Sequence, residues 1–164
     1  MENWRKPRLS VFLWIAAAGW CGLLFYFSGQ NGADSSSLSM RVAEFVLRMI
    51  PALPFTASEL NPILRDLAHF GSFAVEGLLL GAAMMTSFRP WALGCLLAEL
   101  SCAAVAVGNE YHQSFIDGRS CEVQDMLVDV GGGATGILLA AMLLALVFGL
   151  ARRRRDRREN VSFS

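Results

Sequence analysis

Residues 126–150 read MLVDVGGGATGILLAAMLLALVFGL, an apolar run interrupted by one acid, Asp129, and by a glycine cluster at Gly131, Gly132, Gly133 and Gly136. A helix crosses the ~30 Å hydrocarbon core of a bilayer with about 20 such residues. Only helices and closed barrels satisfy all their own backbone groups there. Three further runs meet the same requirement, Leu9 to Ser28, Leu67 to Phe88 and Trp91 to Gly108, each bracketed by Pro, Arg or polar turn residues. Of the 164 residues, 54% are hydrophobic and only 17% charged, and the mean hydropathy is +0.44. Such a balance excludes an ordinary soluble domain. The sequence predicts an all-α polytopic membrane protein with transmembrane helices at about 9–28, 67–88, 91–108 and 126–150. They form one domain over 9–150, between an N-terminal segment 1–8 and a basic tail 151–164.

The first run follows a basic flank, as a signal peptide does, but it is long and ends in Phe25-Tyr26-Phe27 rather than in small residues. It is expected to remain as an anchor. Lys plus Arg number 14 and so do Asp plus Glu, so net charge argues for no nucleic acid partner. The cations are unevenly placed. Arg5, Lys6, Arg8, Arg89 and the tail arginines at 152–155, 157 and 158 fall on one side of the alternating topology. Basic loops are cytoplasmic, so both termini are expected on the cytoplasmic side, with the tail touching lipid headgroups. A sequon at Asn160-Val161-Ser162 then lies inside and is discounted. In the connection Gly29 to Asp66, Leu38, Val42, Phe45, Val46 and Met49 recur at helical spacing opposite Arg41, Glu44 and Arg48. This predicts a short amphipathic helix at about 38–50, lying on the outer membrane surface or packed over the bundle.

No Gly-rich phosphate loop, Gly-x-Ser-x-Gly elbow, His-Glu-x-x-His motif or cysteine framework is present in the sequence. No metal and no cofactor is therefore expected. The informative residues are the polar ones that a bilayer excludes at a cost of at least about 2.5 kcal/mol per central charge. Ser28 and Gln30 end the first span, His69 opens the second, Asn109, Glu110, His112 and Gln113 follow the third, and Asp125 and Asp129 open the fourth. All fall at the outer end. Asp125 and Asp129 share a helix face, with Gly132, Gly133 and Gly136 near it, so that a neighbouring helix can approach closely. His69 and Glu76 share another face, and Glu99 and Glu110 a third if that helix continues past Gly108. Glu76 and Glu99 lie near the midplane, either as a hydrogen-bonded helix-holding pair or as proton carriers.

The stretch Leu67-Ala68-His69-Phe70, the segment NEYHQSFIDGRS at 109–120 and Asp125-Met126-Leu127-Val128-Asp129 closely resemble VanZ-like bacterial membrane proteins. Phe27-Ser28-Gly29-Gln30 and the serines at 35–37 fit as well. The resemblance implies a small polytopic envelope protein, with a link in the name-giving member to teicoplanin-type glycopeptide resistance. The motif positions it carries over are His69, Glu110, Gln113, Arg119, Asp125 and Asp129. Asp66, Ser72, Asn109 and Asp117 depart from the family's usual Lys, Glu, Asp and Pro, and Glu76 is a candidate substitute for the acid missing at Ser72.

Three functions are compatible with these residues. The first, preferred, is a non-enzymatic protein engaging membrane lipids or a lipid-linked cell-wall intermediate in an outer polar cavity built from the six motif residues with Ser28 and Gln30. The second is an intramembrane hydrolase or transferase, with His69, Glu110 and Asp129 as candidate catalytic groups and His112 beside them. The third is a proton-coupled transporter using Glu76 and Glu99, which needs a homo-oligomer because four spans are few.

Overall fold

A computed structural model describes residues 7–162, and among these the side chains of all but 7, 34, 152 and 154–162. Arg5 and Lys6 lie outside the described residues, as do the side chains of Arg152, Arg154, Arg155, Arg157, Arg158 and Asn160. Five helices follow in order: α1 Pro7–Ser28, α2 Gly32–Met49, α3 Ala57–Ser87, α4 Trp91–Gln113 and α5 Val123–Ser162. The described residues contain no strand. Four stretches are long and apolar enough to cross a membrane, Arg8–Ser28, Ala57–Ser87, Trp91–Gln113 and Val123–Ala151. The protein is all-helical with four such spans.

The burial pattern is inverted relative to a water-soluble protein. Phe12 is 67% exposed and Leu138 66%, whereas Glu110 and Asp129 are 0% exposed. Apolar side chains facing outward and ionisable ones facing inward are what a hydrocarbon solvent selects. Helix α5 has 40 residues, about 60 Å at 1.5 Å each, so it runs well past the bilayer core.

Helix α3 begins at Ala57 rather than at Leu67, where the apolar run starts. A capping box sets that start. The Thr56 hydroxyl accepts from the Glu59 N–H, and the Glu59 carboxylate accepts from the Thr56 N–H at 2.8 Å, so two orphan donors are satisfied at once. Helix α2 begins at Gly32, before the apolar periodicity that predicts it, and α4 does continue past Gly108 to Gln113.

Helix α3 is the centre of the bundle and packs most extensively on α5. The two run parallel, and glycines make the contact. A Cβ on Gly77 would strike the Gly133 carbonyl, one on Gly132 the Phe70 carbonyl, and one on Gly136 the Ala74 carbonyl. The backbones therefore touch, as small-residue seams allow in membrane helices. Helices α1, α2 and α4 pack against α3 as well. At one end of the bundle the Ser10 and Ser87 hydroxyls pair at 2.7 Å and Trp14 donates its indole N–H to Ser87. The other end, where α2 sits, holds the polar residues.

Candidate functional site

The glycine seam sets His69 of α3 directly against Asp129 of α5. The His69 Nδ1 and the Asp129 Oδ1 are 3.1 Å apart, with the aspartate fully buried and the imidazole side chain 15% exposed. The second oxygen of Asp129 is buried with no hydrogen-bond partner. Because α4 extends past Gly108, Glu110 joins the same interior. Its Oε1 accepts from the Gln113 side-chain amide at 3.0 Å, and its Oε2 accepts from the Glu122 backbone N–H at 3.1 Å. Both oxygens are thereby oriented. His69, Glu110 and Asp129 each present one donor atom, and these lie within 4.8 Å of one another.

A second group forms around the loop between α4 and α5. The loop docks on the α1–α2 joint: the Gly32 N–H donates to the Asp117 carbonyl at 3.0 Å, and Gly118 takes a positive φ of 74° that favours glycine. Arg119 then reaches back to donate to the Ser28 carbonyl and to the Ser35 hydroxyl, each at 3.0 Å. The Ser28 carbonyl is the last of α1, so a cation meets the negative end of that helix. Burial and the neighbouring Arg65 pull the Arg119 guanidinium below its usual pKa. Arg65 itself pairs with Asp125 at 3.3 Å and with Glu122 at 3.5 Å.

Two cavities adjoin these groups. The larger, about 390 Å³, lies between α1, α2 and α3, with Trp20, Leu24, Phe27, Leu38, Val42 and Phe73 along its walls and Ser28, Gln30, His69, Asn109 and Gln113 at its polar end. The smaller, about 250 Å³, is walled by polar groups including Ser36, Asn61, Ser120 and Glu122. Ser35, Ser39, Arg65, Gln113 and Arg119 line both. The two spaces share one polar wall.

The structure thus groups His69, Glu110, Gln113 and Asp129, and separately Ser28 with Arg119. Asp125 pairs with Arg65 and not with Arg119. His112 stands apart from the buried triad, 3.5 Å from the Ser28 hydroxyl and edge-on to Phe25. Glu76 is 1% exposed with Oε2 unpartnered, and no hydrogen bond joins it to Glu99. Two contributors escape the sequence reading, Arg65 and the Glu122 backbone, while Ser35, one of the serines at 35–37, gains a definite role as an acceptor for Arg119. Arg65 lies one helical turn before His69, and that spacing is the signal that would have found it.

No curated protein and no solved structure shows significant similarity to the chain. A family model described as VanZ/LLP1 matches residues 12–146. That interval spans every group of the site, from Ser28 to Asp129, and the chain belongs to the VanZ/LLP1 family.

Proposed function

We propose that the protein binds the phosphate-bearing end of an anionic lipid, or of a lipid-linked cell-wall intermediate, at the outer leaflet of the bacterial cytoplasmic membrane. One observation carries this reading: Arg65 and Arg119 line both cavities, one mostly apolar and one polar. An amphiphile placed there sets its chain along Trp20, Leu24 and Phe27 and its headgroup between the two guanidiniums. Arginine suits that role because its planar fork of donors matches phosphate oxygens. Among the described residues no carboxylate forms an ion pair with Arg119, so an anion there offsets the cost of burying its charge beside Arg65, the two causes that lower its pKa. The uneven placement of basic residues supports the outer location.

The test is titration of the purified protein, in nanodiscs of zwitterionic lipid, with a short-chain isoprenyl phosphate and with a short-chain phosphatidic acid, read by tryptophan fluorescence. Trp20 on the cavity wall is the reporter. Arg119→Ala is expected to weaken binding about 10- to 100-fold, the range of one charge-assisted contact. Equal affinity for a zwitterionic analogue contradicts the proposal. For glycopeptides, the expectation is a teicoplanin-selective drop in susceptibility of a sensitive Gram-positive host that is lost in Glu110→Gln, Arg119→Ala and Asp129→Asn at matched expression.

A second reading, an intramembrane hydrolase or transferase, is favoured by the His69–Asp129 pair, in which a carboxylate orients an imidazole beside a cavity. It predicts release of phosphate or headgroup from the same probes. A binding protein returns them intact.

A further inference from the structure

We propose that His69, Glu110 and Asp129 form a binding site for a divalent cation of the Zn2+ or Mn2+ type. The inference goes beyond amphiphile binding and does not rest on it.

Three helices each supply one donor, His69 from α3, Glu110 from α4 and Asp129 from α5, and their donor atoms lie within 4.8 Å of one another. Ligands about 2.1 Å from a tetrahedral metal are about 3.4 Å apart, so the group has to close by about an ångström. The side chains can supply that movement without shifting the backbones, which the Gly132 and Gly133 contacts hold in place.

The orphaned oxygen is the independent observation. Asp129 is fully buried, its Oδ1 faces His69, and its Oδ2 has no donor. A buried acceptor without a partner is costly, and a cation is a partner that needs no proton. Charge points the same way. Two carboxylates here face one imidazole, while the nearby cations are engaged elsewhere: Arg65 on Asp125 and Glu122, Arg119 on Ser28 and Ser35. Two positive charges balance the group without drawing either arginine from the cavity.

The supports around the donors are those of a metal site. Glu110 accepts from the Gln113 amide and the Glu122 N–H, and each oxygen keeps a further lone pair for a metal. Such outer contacts orient the ligands and are costly to remove. The imidazole suits Zn2+ and the two carboxylates suit Zn2+ or Mn2+, whereas Mg2+ keeps several waters and Ca2+ takes six to eight oxygens. Three protein ligands leave a coordination position open. Of the three, His69 lines the larger cavity, so the open position is reached from there.

The spacing of the ligands in sequence, 69, 110 and 129, contains no local metal motif. The expectation of no metal follows from that spacing; the site exists only through packing.

The full chain, purified in detergent and stripped with a chelator, is dialysed against Zn2+ or Mn2+ and assayed by elemental analysis and calorimetry. One-to-one uptake is expected, with a rise in thermal midpoint that chelator reverses. His69→Ala, Glu110→Gln and Asp129→Asn should each weaken binding at least about 100-fold, and Gln113→Ala, which removes only a support, about 10-fold. Glu99→Gln, an acid outside the group, should leave it unchanged. Absence of stoichiometric uptake by the wild type overturns the proposal, whatever the variants do. Uptake that survives all three ligand variants, or that Glu99→Gln abolishes, overturns it as well. No lipid probe enters this experiment, so its failure is separate from failure of the amphiphile reading.

Discussion

The two ends of the bundle are built from the same helices and solve different problems. Toward Ser87 the interior is Ala17, Leu80, Met84, Ala98, Cys102 and Ile137, a continuous apolar cluster with hydroxyl and indole contacts at its rim. Toward α2 the interior holds Glu110, Asp129, Asn109 and Gln113, all buried. Lipid offers no hydrophobic drive for helix association, so packing and hydrogen bonds must supply it. Between the two ends lies the glycine seam of α3 and α5, which serves both. It brings the apolar side chains into contact below and sets His69 against Asp129 above. Packing that holds the fold is thus largely separable from the polar chemistry it positions.

The largest effect should come from breaking the seam. Gly77→Leu forces a side chain into the Gly133 backbone and is expected to cost above about 3 kcal/mol, seen as loss of monodisperse protein on size exclusion. Gly19→Leu, on α1 with nothing within 4 Å, should leave the protein intact. If both behave alike, the seam does not hold the bundle.

Asp129→Ala attacks the polar end alone. It removes the partner of His69 and should destabilise by about 2 kcal/mol, measured as a lower thermal midpoint in detergent. A neutral result would mean that the buried pair contributes little to folding and is retained for binding. Arg119→Ala removes two hydrogen bonds that tie the α4–α5 loop to α1 and α2. Its expected signature is faster amide exchange at 114–122 with a global loss of about 1–2 kcal/mol. Ser87→Ala, at the opposite end, should cost less than about 1 kcal/mol and leave ligand binding unaltered. A change in binding there would show that the two ends are coupled.

Much of this architecture is legible in the residue order. Counting apolar runs finds four spans because backbone satisfaction in lipid demands length and little else. The early start of α3 is not visible to that count, since Asn61, Arg65 and Asp66 interrupt it; the signal is the Thr56-x-x-Glu59 cap instead. Helical spacing places Asp125 and Asp129 on one face and points His69 inward. Periodicity states which face of a helix is polar but not which face of which neighbour it meets. For that reason Arg65 as the partner of Asp125, the Arg119 hold on Ser28 and Ser35, and the separation of His112 from the triad emerge only from the packed helices. The glycines at 132, 133 and 136 are the exception: their small size predicts close approach, and α3 fills the space at Gly132 and Gly136 while Cys102 of α4 fills it at Gly133.

The parallel contact of α3 with α5 also has a consequence for how the chain is made. His69 and Asp129 are 60 positions apart, and α4 lies between them in the order of synthesis. At roughly 5 to 20 residues per second, that separation is about 3 to 12 s of translation. Throughout that interval the face of α3 that carries Gly77 and Gly81 lacks Gly133 and Ile137, the α5 residues it meets in the finished bundle. Of the two partners the later, α5, is the one that closes this face of α3, so a truncation upstream of Asp129 removes not a peripheral element but the template on which the central helix settles.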